Sequence, residues 1–114
     1  MLKLPCAAEA IIDDRKLKEY ILSFEHPIGR FKAAFFASLG FYEDNWDKLD
    51  LEIRRLAQSH EAEIAGRTSY GQKYLVRGRI EGERGRSANI VTVWIVRVGE
   101  ERPRFVTAYP EDRG

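Results

Sequence analysis

Ile90-Val91-Thr92-Val93-Trp94-Ile95-Val96-Arg97-Val98 is the stretch from which the fold is read. β-branched and aromatic residues run through it almost without interruption, and Arg97 alone carries charge. Such a run favours a pleated chain over a helix, and its lack of alternation predicts a central strand buried on both sides. Upstream, Lys73 to Ile80 alternates, with Tyr74, Val76 and Ile80 on one face and Leu75 among arginines on the other. Between these two strands lies Glu81-Gly82-Glu83-Arg84-Gly85-Arg86, polar and glycine-bearing, as an antiparallel connection requires. Downstream, a turn at Gly99–Pro103 leads into Arg104-Phe105-Val106-Thr107-Ala108-Tyr109, which Pro110 stops. Three consecutive strands with short connections predict a meander.

Ahead of the strands the apolar period changes from two to about 3.6. Asp13-Asp14 offers an N-cap and an acidic first turn, and Leu17, Tyr20, Ile21 and Phe24 then recur at helical spacing. A first helix is predicted from Asp14 to about Ser23, closed by the constraint that Pro27 places on His26. Ile28, Phe31, Ala34, Phe35 and Leu39 predict a second helix, which Gly40 terminates. Asp44 or Asn45 caps a third, with Trp46, Leu49, Ile53, Leu56 and Ala57 as its apolar stripe. Gln58 to Gln72 reads as helix tail, loop or both. Helices followed by strands give a segregated α+β fold: about three N-terminal helices packed on a three- to four-stranded antiparallel meander sheet. One domain is expected over residues 1–114, with a helical half at about 10–60 and a sheet half at about 70–110.

Charge follows the same division. Residues 1–66 hold 9 Lys/Arg against 12 Asp/Glu (−3), whereas residues 67–104 hold 9 against 4 (+5). A basic half points to an anionic partner, or to strand arginines that simply solvate an exposed sheet face. Cys6 is the only cysteine, so no internal disulfide framework or multi-cysteine metal site is expected. No apolar run approaches the roughly 20 residues of a membrane helix. Pro5 and Glu9 interrupt the short apolar start, so nothing directs export by the usual route. A cytoplasmic location is expected, either for this chain alone or for a larger protein containing it.

Most chemistries lack their motif. Gly82-x-x-Gly85 is too short for a nucleotide loop, no Gly-x-Ser-x-Gly elbow occurs, and His26 and His60 have no zinc spacing. No cofactor or metal is expected. What remains is His26-Pro27-Ile28-Gly29-Arg30-Phe31-Lys32. Arg30 and Lys32 fall in the first turns of a helix, where the dipole disfavours cations. Either they pair with Asp44, Asp47 or Glu25 while His26 caps the helix, or the segment is a cationic pocket for an anion.

Such a group suits RNA cleavage by 2′-hydroxyl attack on the adjacent phosphate. That reaction needs an acid, a base and fixed positive charge, but no metal. His26 would serve as acid or base, and Arg30 or Lys32 would supply the charge. Thr107 and Tyr109 would bind phosphate or the 2′-hydroxyl. Tyr74, Trp94 and Phe105 read as core or as base-stacking groups, and His60 as a helix-tail residue or a second acid/base group.

Several stretches carry a family resemblance. They are Lys18 to Leu22, His26-Pro27-Ile28-Gly29-Arg30-Phe31-Lys32-Ala33-Ala34-Phe35-Phe36, Leu39-Gly40-Phe41, Tyr70 to Tyr74, Thr92 to Ile95, and Pro103 to Pro110. Together they are similar to a bacterial domain family of unknown function, met alone and as C-terminal modules of larger, including toxin-like, proteins. The order of elements and the terminal Thr-x-Tyr-Pro also resemble ribonuclease toxins of the barnase–EndoU–colicin–RelE type. That resemblance implies a site at His26, Arg30, Lys32, Thr107 and Tyr109, an RNA substrate and an acidic antitoxin or immunity partner. It also implies a fourth strand, to be found at Ala8–Ile12 or Ser69–Gly71. The alternative is a non-catalytic module binding protein or nucleic acid, which includes an immunity or antitoxin role itself.

Overall fold

Asp13 begins the helical layer of the computed structural model, which describes residues 2–111. Its carboxylate accepts the Arg15 backbone N–H at 3.0 Å and the Arg15 guanidinium at 2.8 Å. One of the amides left free at a helix start is thereby satisfied. The helix it caps, α1, opens as an α-turn over Asp14–Lys16 and widens to a π-turn over Leu17–Ile21. Leu17 and Ile21 are fully buried, Tyr20 is half-buried at the side, and Phe24 beyond the helix is exposed. Phe24 therefore leaves the predicted stripe, because the widened turn ends the helix at Ile21.

The second helix, α2, covers Gly29–Ser38 and is rotated from the expected stripe. Gly29, Ala33 and Phe36 face inward, while Ile28 and Phe31 are 61% and 70% exposed. Gly29 is the physical reason. A Cβ there would overlap the Tyr20 carbonyl oxygen, so the bare glycine lets α2 sit directly on α1 and sets its rotation. Gly40, at φ +92°, ends the segment as its spacing predicts. Next, α3 runs over Trp46–Ser59 with Leu49, Ile53, Leu56 and Ala57 buried, the predicted stripe apart from a partly covered Trp46. Fully burying a leucine or isoleucine contributes about 1.5–3 kcal/mol each, so this face holds α3 to the sheet.

The sheet contains β1 (Ala62–Thr68), β2 (Gly71–Glu81), β3 (Ser87–Arg97) and β4 (Arg104–Pro110), antiparallel in the order β1-β2-β3-β4. The segregated α+β fold and the meander are as expected. The fourth strand is not at either expected place: it is Ala62–Thr68, inside the stretch read as helix tail or loop. Only Ala62 of β1 is buried, so neither periodicity nor burial marks this edge strand. Ile11 contributes only an isolated parallel bridge to Arg104.

Trp94, Thr92, Ile90, Val76, Ile80, Phe105 and Ala108 lie beneath the helices, each no more than 4% exposed. Thr92 is the polar exception. Its hydroxyl donates to the Val76 carbonyl at 2.8 Å and accepts the Trp94 Nε1–H at 2.8 Å, so the core carries no unsatisfied donor there. The opposite face corrects the expectation of a strand buried on both sides. Val91 is buried there, but Val93 and Ile95 are only half-buried, and all three lie outside the core cluster. In β4 the register shifts at Val106: Phe105 pairs with Trp94, but Thr107 pairs with Val93. The bulge resets the alternation, so Phe105 and Thr107 occupy different faces.

Candidate functional site

Pro27 holds the chain in a turn ahead of α2, and this turn fixes the His26 ring. Its Nδ1 accepts the backbone N–H groups of Ile28 at 3.0 Å and Gly29 at 2.9 Å. Both are amides that a helix start leaves free. Because Nδ1 is an acceptor, the neutral ring carries its proton on Nε2. The histidine therefore does cap its helix, as one reading expects, and still presents a donor on its other edge. The ring meets Tyr20 edge-on, with centroids 4.9 Å apart.

Tyr20 is the hub of this corner. Its hydroxyl lies 3.3 Å from Thr107 Oγ1, against the free edge of β4. Lys32 Nζ sits over its ring, 5.5 Å from the centroid. Lys16, one helical turn before Tyr20, donates to the Val106 carbonyl at 3.4 Å. Burial would push the Tyr20 phenol up, but hydrogen bonding to Thr107 and Lys32 and the charges of Lys32 and Lys16 outweigh it. The phenol ends below its ordinary value. Asp13, Arg15, Lys16, Glu19, Tyr20, His26 and Ile28 line an open cleft of about 640 Å³ beside the group.

Three of the five expected site residues, His26, Lys32 and Thr107, thus meet around one tyrosine. Arg30 does not join them. It lies about 100° round α2 from Gly29, on the outer side, with its guanidinium 4.9 Å from the Phe31 ring centroid. Tyr109 stands opposite Val91 on the sheet face away from Trp94 and is 36% exposed. It shares that face with Thr107 but has no recorded contact with His26. Neither Arg30 nor Lys32 forms an ion pair among the described residues, so the expected alternative pairing with Asp44, Asp47 or Glu25 is not made.

Sequence reasoning placed Tyr20 in the apolar stripe of α1 and gave Lys16 no role. The available signals were Gly29, whose lack of a side chain marks a close approach, and the i, i+4 spacing of Lys16 and Tyr20. The remaining expected groups resolve structurally. Trp94 and Phe105 are core, stacked edge-on at 5.5 Å, and Tyr74 is partly buried against the core. His60 ends α3, half-buried, with Nδ1 3.2 Å from the Leu56 carbonyl and the ring against Gly78. Cys6 is exposed and free.

Three of the nine basic groups between residues 67 and 104 are self-paired, and Arg67, Lys73, Arg84, Arg86, Arg97 and Arg102 meet no carboxylate among the described residues. Arg77 meets Glu63 at 2.7 Å, Arg79 meets Glu81 at 3.3 Å, and Arg104 meets Glu100 at 3.0 Å. A second cleft, between Gly40 and Arg86, is spanned by the Lys48–Glu83 pair at 2.7 Å. Among the described residues no group of three His, Cys, Asp or Glu gathers to hold a metal ion, and no helix is long and apolar enough to cross a membrane.

The architecture is shared with a solved structure described as a contact-dependent growth inhibition toxin–immunity protein complex from Klebsiella pneumoniae 342. One chain of it superposes with a TM-score of 0.67 at 17% identity, covering 93% of this chain and 97% of that one. At that identity the likeness concerns the fold. No curated protein matches the chain significantly. The match to a family model extends over residues 3–112, and the chain belongs to that family, the Domain of unknown function (DUF6883).

Proposed function

We propose that the corner of His26, Lys32 and Thr107 is the active site of a small metal-independent ribonuclease of the bacterial toxin type. The observation that carries this reading is the gathering of a free imidazole Nε2–H, an ammonium and a hydroxyl around the Tyr20 ring. In the reaction the 2′-oxygen forms a bond to phosphorus and gives its proton to solvent water, while the bond to the 5′-oxygen breaks and that oxygen takes a proton from water. The products are a 2′,3′-cyclic phosphate and a 5′-hydroxyl. His26, held as an Nε2–H donor, serves the leaving oxygen or a phosphoryl oxygen. Lys32 supplies fixed charge, and Thr107 binds the phosphate or the 2′-hydroxyl. Arg30 and Tyr109 stand outside this group and would meet RNA only on either side of the cleaved bond.

The fold shared with a chain of a toxin–immunity complex supports a role in a toxin system, with an acidic immunity or antitoxin protein as partner. Phe24, Ile28 and Phe31, exposed around the His26 turn, offer that partner an apolar surface beside the site. The same surface favours the second reading, a non-catalytic binding module whose contacts lie there.

Expression of the wild-type chain in bacteria should arrest growth, and the purified protein should degrade RNA. His26→Asn keeps an acceptor for the helix cap while removing the imidazole. It should abolish both effects with an unchanged circular dichroism spectrum. Normal growth and intact RNA with the wild-type protein would sink the enzyme reading and leave the binding module.

A further inference from the structure

Lys16 lies outside every stretch that carries the resemblance and Tyr20 was given no site role by it, yet the corner is built around them. Tyr20 and Thr107 each carry one hydroxyl proton, and their contact at 3.3 Å uses only one of the two. As a unit the pair keeps one O–H to donate elsewhere. Lys16 reaches the same place from α1 and Lys32 from α2, and neither is tied to a carboxylate among the described residues. Of the two acids lining the cleft, Asp13 is held by Arg15 at 2.8 Å, which leaves Glu19 on the wall. Converging hydroxyls and ammoniums match a tetrahedral oxyanion better than a planar carboxylate, which a guanidinium would fit.

We propose that Tyr20, with Thr107, Lys16 and Lys32, forms a subsite for the phosphoryl oxygens of the RNA phosphate. This rests on the ribonuclease reading and adds to it the residue that holds the reacting group. The hydroxyl pair donates to a non-bridging oxygen, and the two ammoniums balance its charge. The phenol, drawn below its ordinary value by those same neighbours, is the stronger donor for it.

The test is a ¹H–¹⁵N NMR titration of the whole chain with inorganic phosphate, run beside an RNA cleavage assay. Phosphate should shift the amides of Tyr20, Gly29 and Thr107. Tyr20→Phe keeps the ring that packs on His26 and should weaken phosphate binding roughly tenfold or more, as should Thr107→Val. Each should slow cleavage by roughly 100-fold, while the melting curve stays in place. Glu19→Gln, which removes the repelling charge on the wall, should tighten phosphate binding. If the wild type cleaves RNA and both hydroxyl variants cleave at its rate, the subsite is wrong and Thr107's role falls with it, while the ribonuclease activity stands. If the wild type cleaves nothing but binds phosphate in a Tyr20-dependent way, the ribonuclease reading falls and the anion subsite stands. Absence of phosphate shifts at Tyr20 and Thr107 in the wild type overturns the subsite outright.

Discussion

Beneath the helices, the sheet presents Trp94, Ile90, Val76 and Ile80, all fully buried, and its one polar side chain, Thr92, is satisfied by atoms of the same sheet. A short distance away, at the free edge of β4, Tyr20, His26, Lys32 and Thr107 are all short of full burial and come from α1, the turn after it, α2 and the edge strand. The first region places each group where its solvation cost is already met. The second holds donors and cations half in water, with an O–H and an N–H to spare and two ammoniums that meet no carboxylate. Interiors that only stabilise are completed internally, whereas a site must keep bonding capacity for something else. The contrast also explains why the large clefts differ. The one lined by Lys48 and Glu83 pairs those two charges across itself, whereas the one beside Tyr20 leaves Lys16 with only a carbonyl partner.

Three substitutions or titrations probe the two regions. Trp94→Ala should have the largest effect, a loss of about 3–5 kcal/mol in urea unfolding, because a fully buried indole leaves a cavity. A loss below about 1 kcal/mol would mean the helices do not rest on this face. Gly29→Ala should follow, at about 1–3 kcal/mol, since its methyl group must displace the Tyr20 carbonyl. That variant joins the two regions: it should shift α2 and pull His26 and Lys32 away from Tyr20. A crystal structure with the corner unchanged would show that Gly29 does not set the rotation of α2.

The smallest effect should come from Asp13. Hydrogen bonds to the Arg15 side chain and backbone hold its carboxyl at about 2, against an ordinary 3.8. A depressed folded value stabilises the protein above the unfolded one and is lost as pH falls through the folded one. The α1 cap should therefore be intact above about pH 4 and released between about pH 4 and 2, with β1–β4 still formed. NMR titration of the Asp13 carboxyl carbon checks this. An inflection at an ordinary aspartate value would remove the cap from the account.

The elements differ in how far their positions follow from the chain alone. The buried stripe of α3 was legible, Trp46 and the helix end apart, because it faces one uniform core and burial follows period. The β3 run was legible as a strand for a similar reason. α2 was misread by its rotation: Phe31 looks like core by composition, but Gly29 lets the helix approach on another side. β1 was missed because an edge strand exposed on both faces beyond Ala62 needs no apolar alternation; it is held by backbone pairing with β2. Thr107 was identified as a site residue, but its face could not be known, since the bulge at Val106 leaves no mark in the spacing.

The order of the three helices and of β2, β3 and β4, the segregated α+β class, the buried stripe of α3 and the cationic His26–Lys32 segment follow from local pattern. Each depends on residues near one another in the chain, through turn chemistry and the helical or strand period. The meeting of Tyr20 with Thr107, 87 positions away, depends on how α1 lies against the β4 edge. The turning of Lys32, and not Arg30, toward Tyr20 depends in the same way on how α2 lies on α1. These are matters of packing between distant segments, and only the folded chain decides them, because no local period encodes the rotation of one element against another.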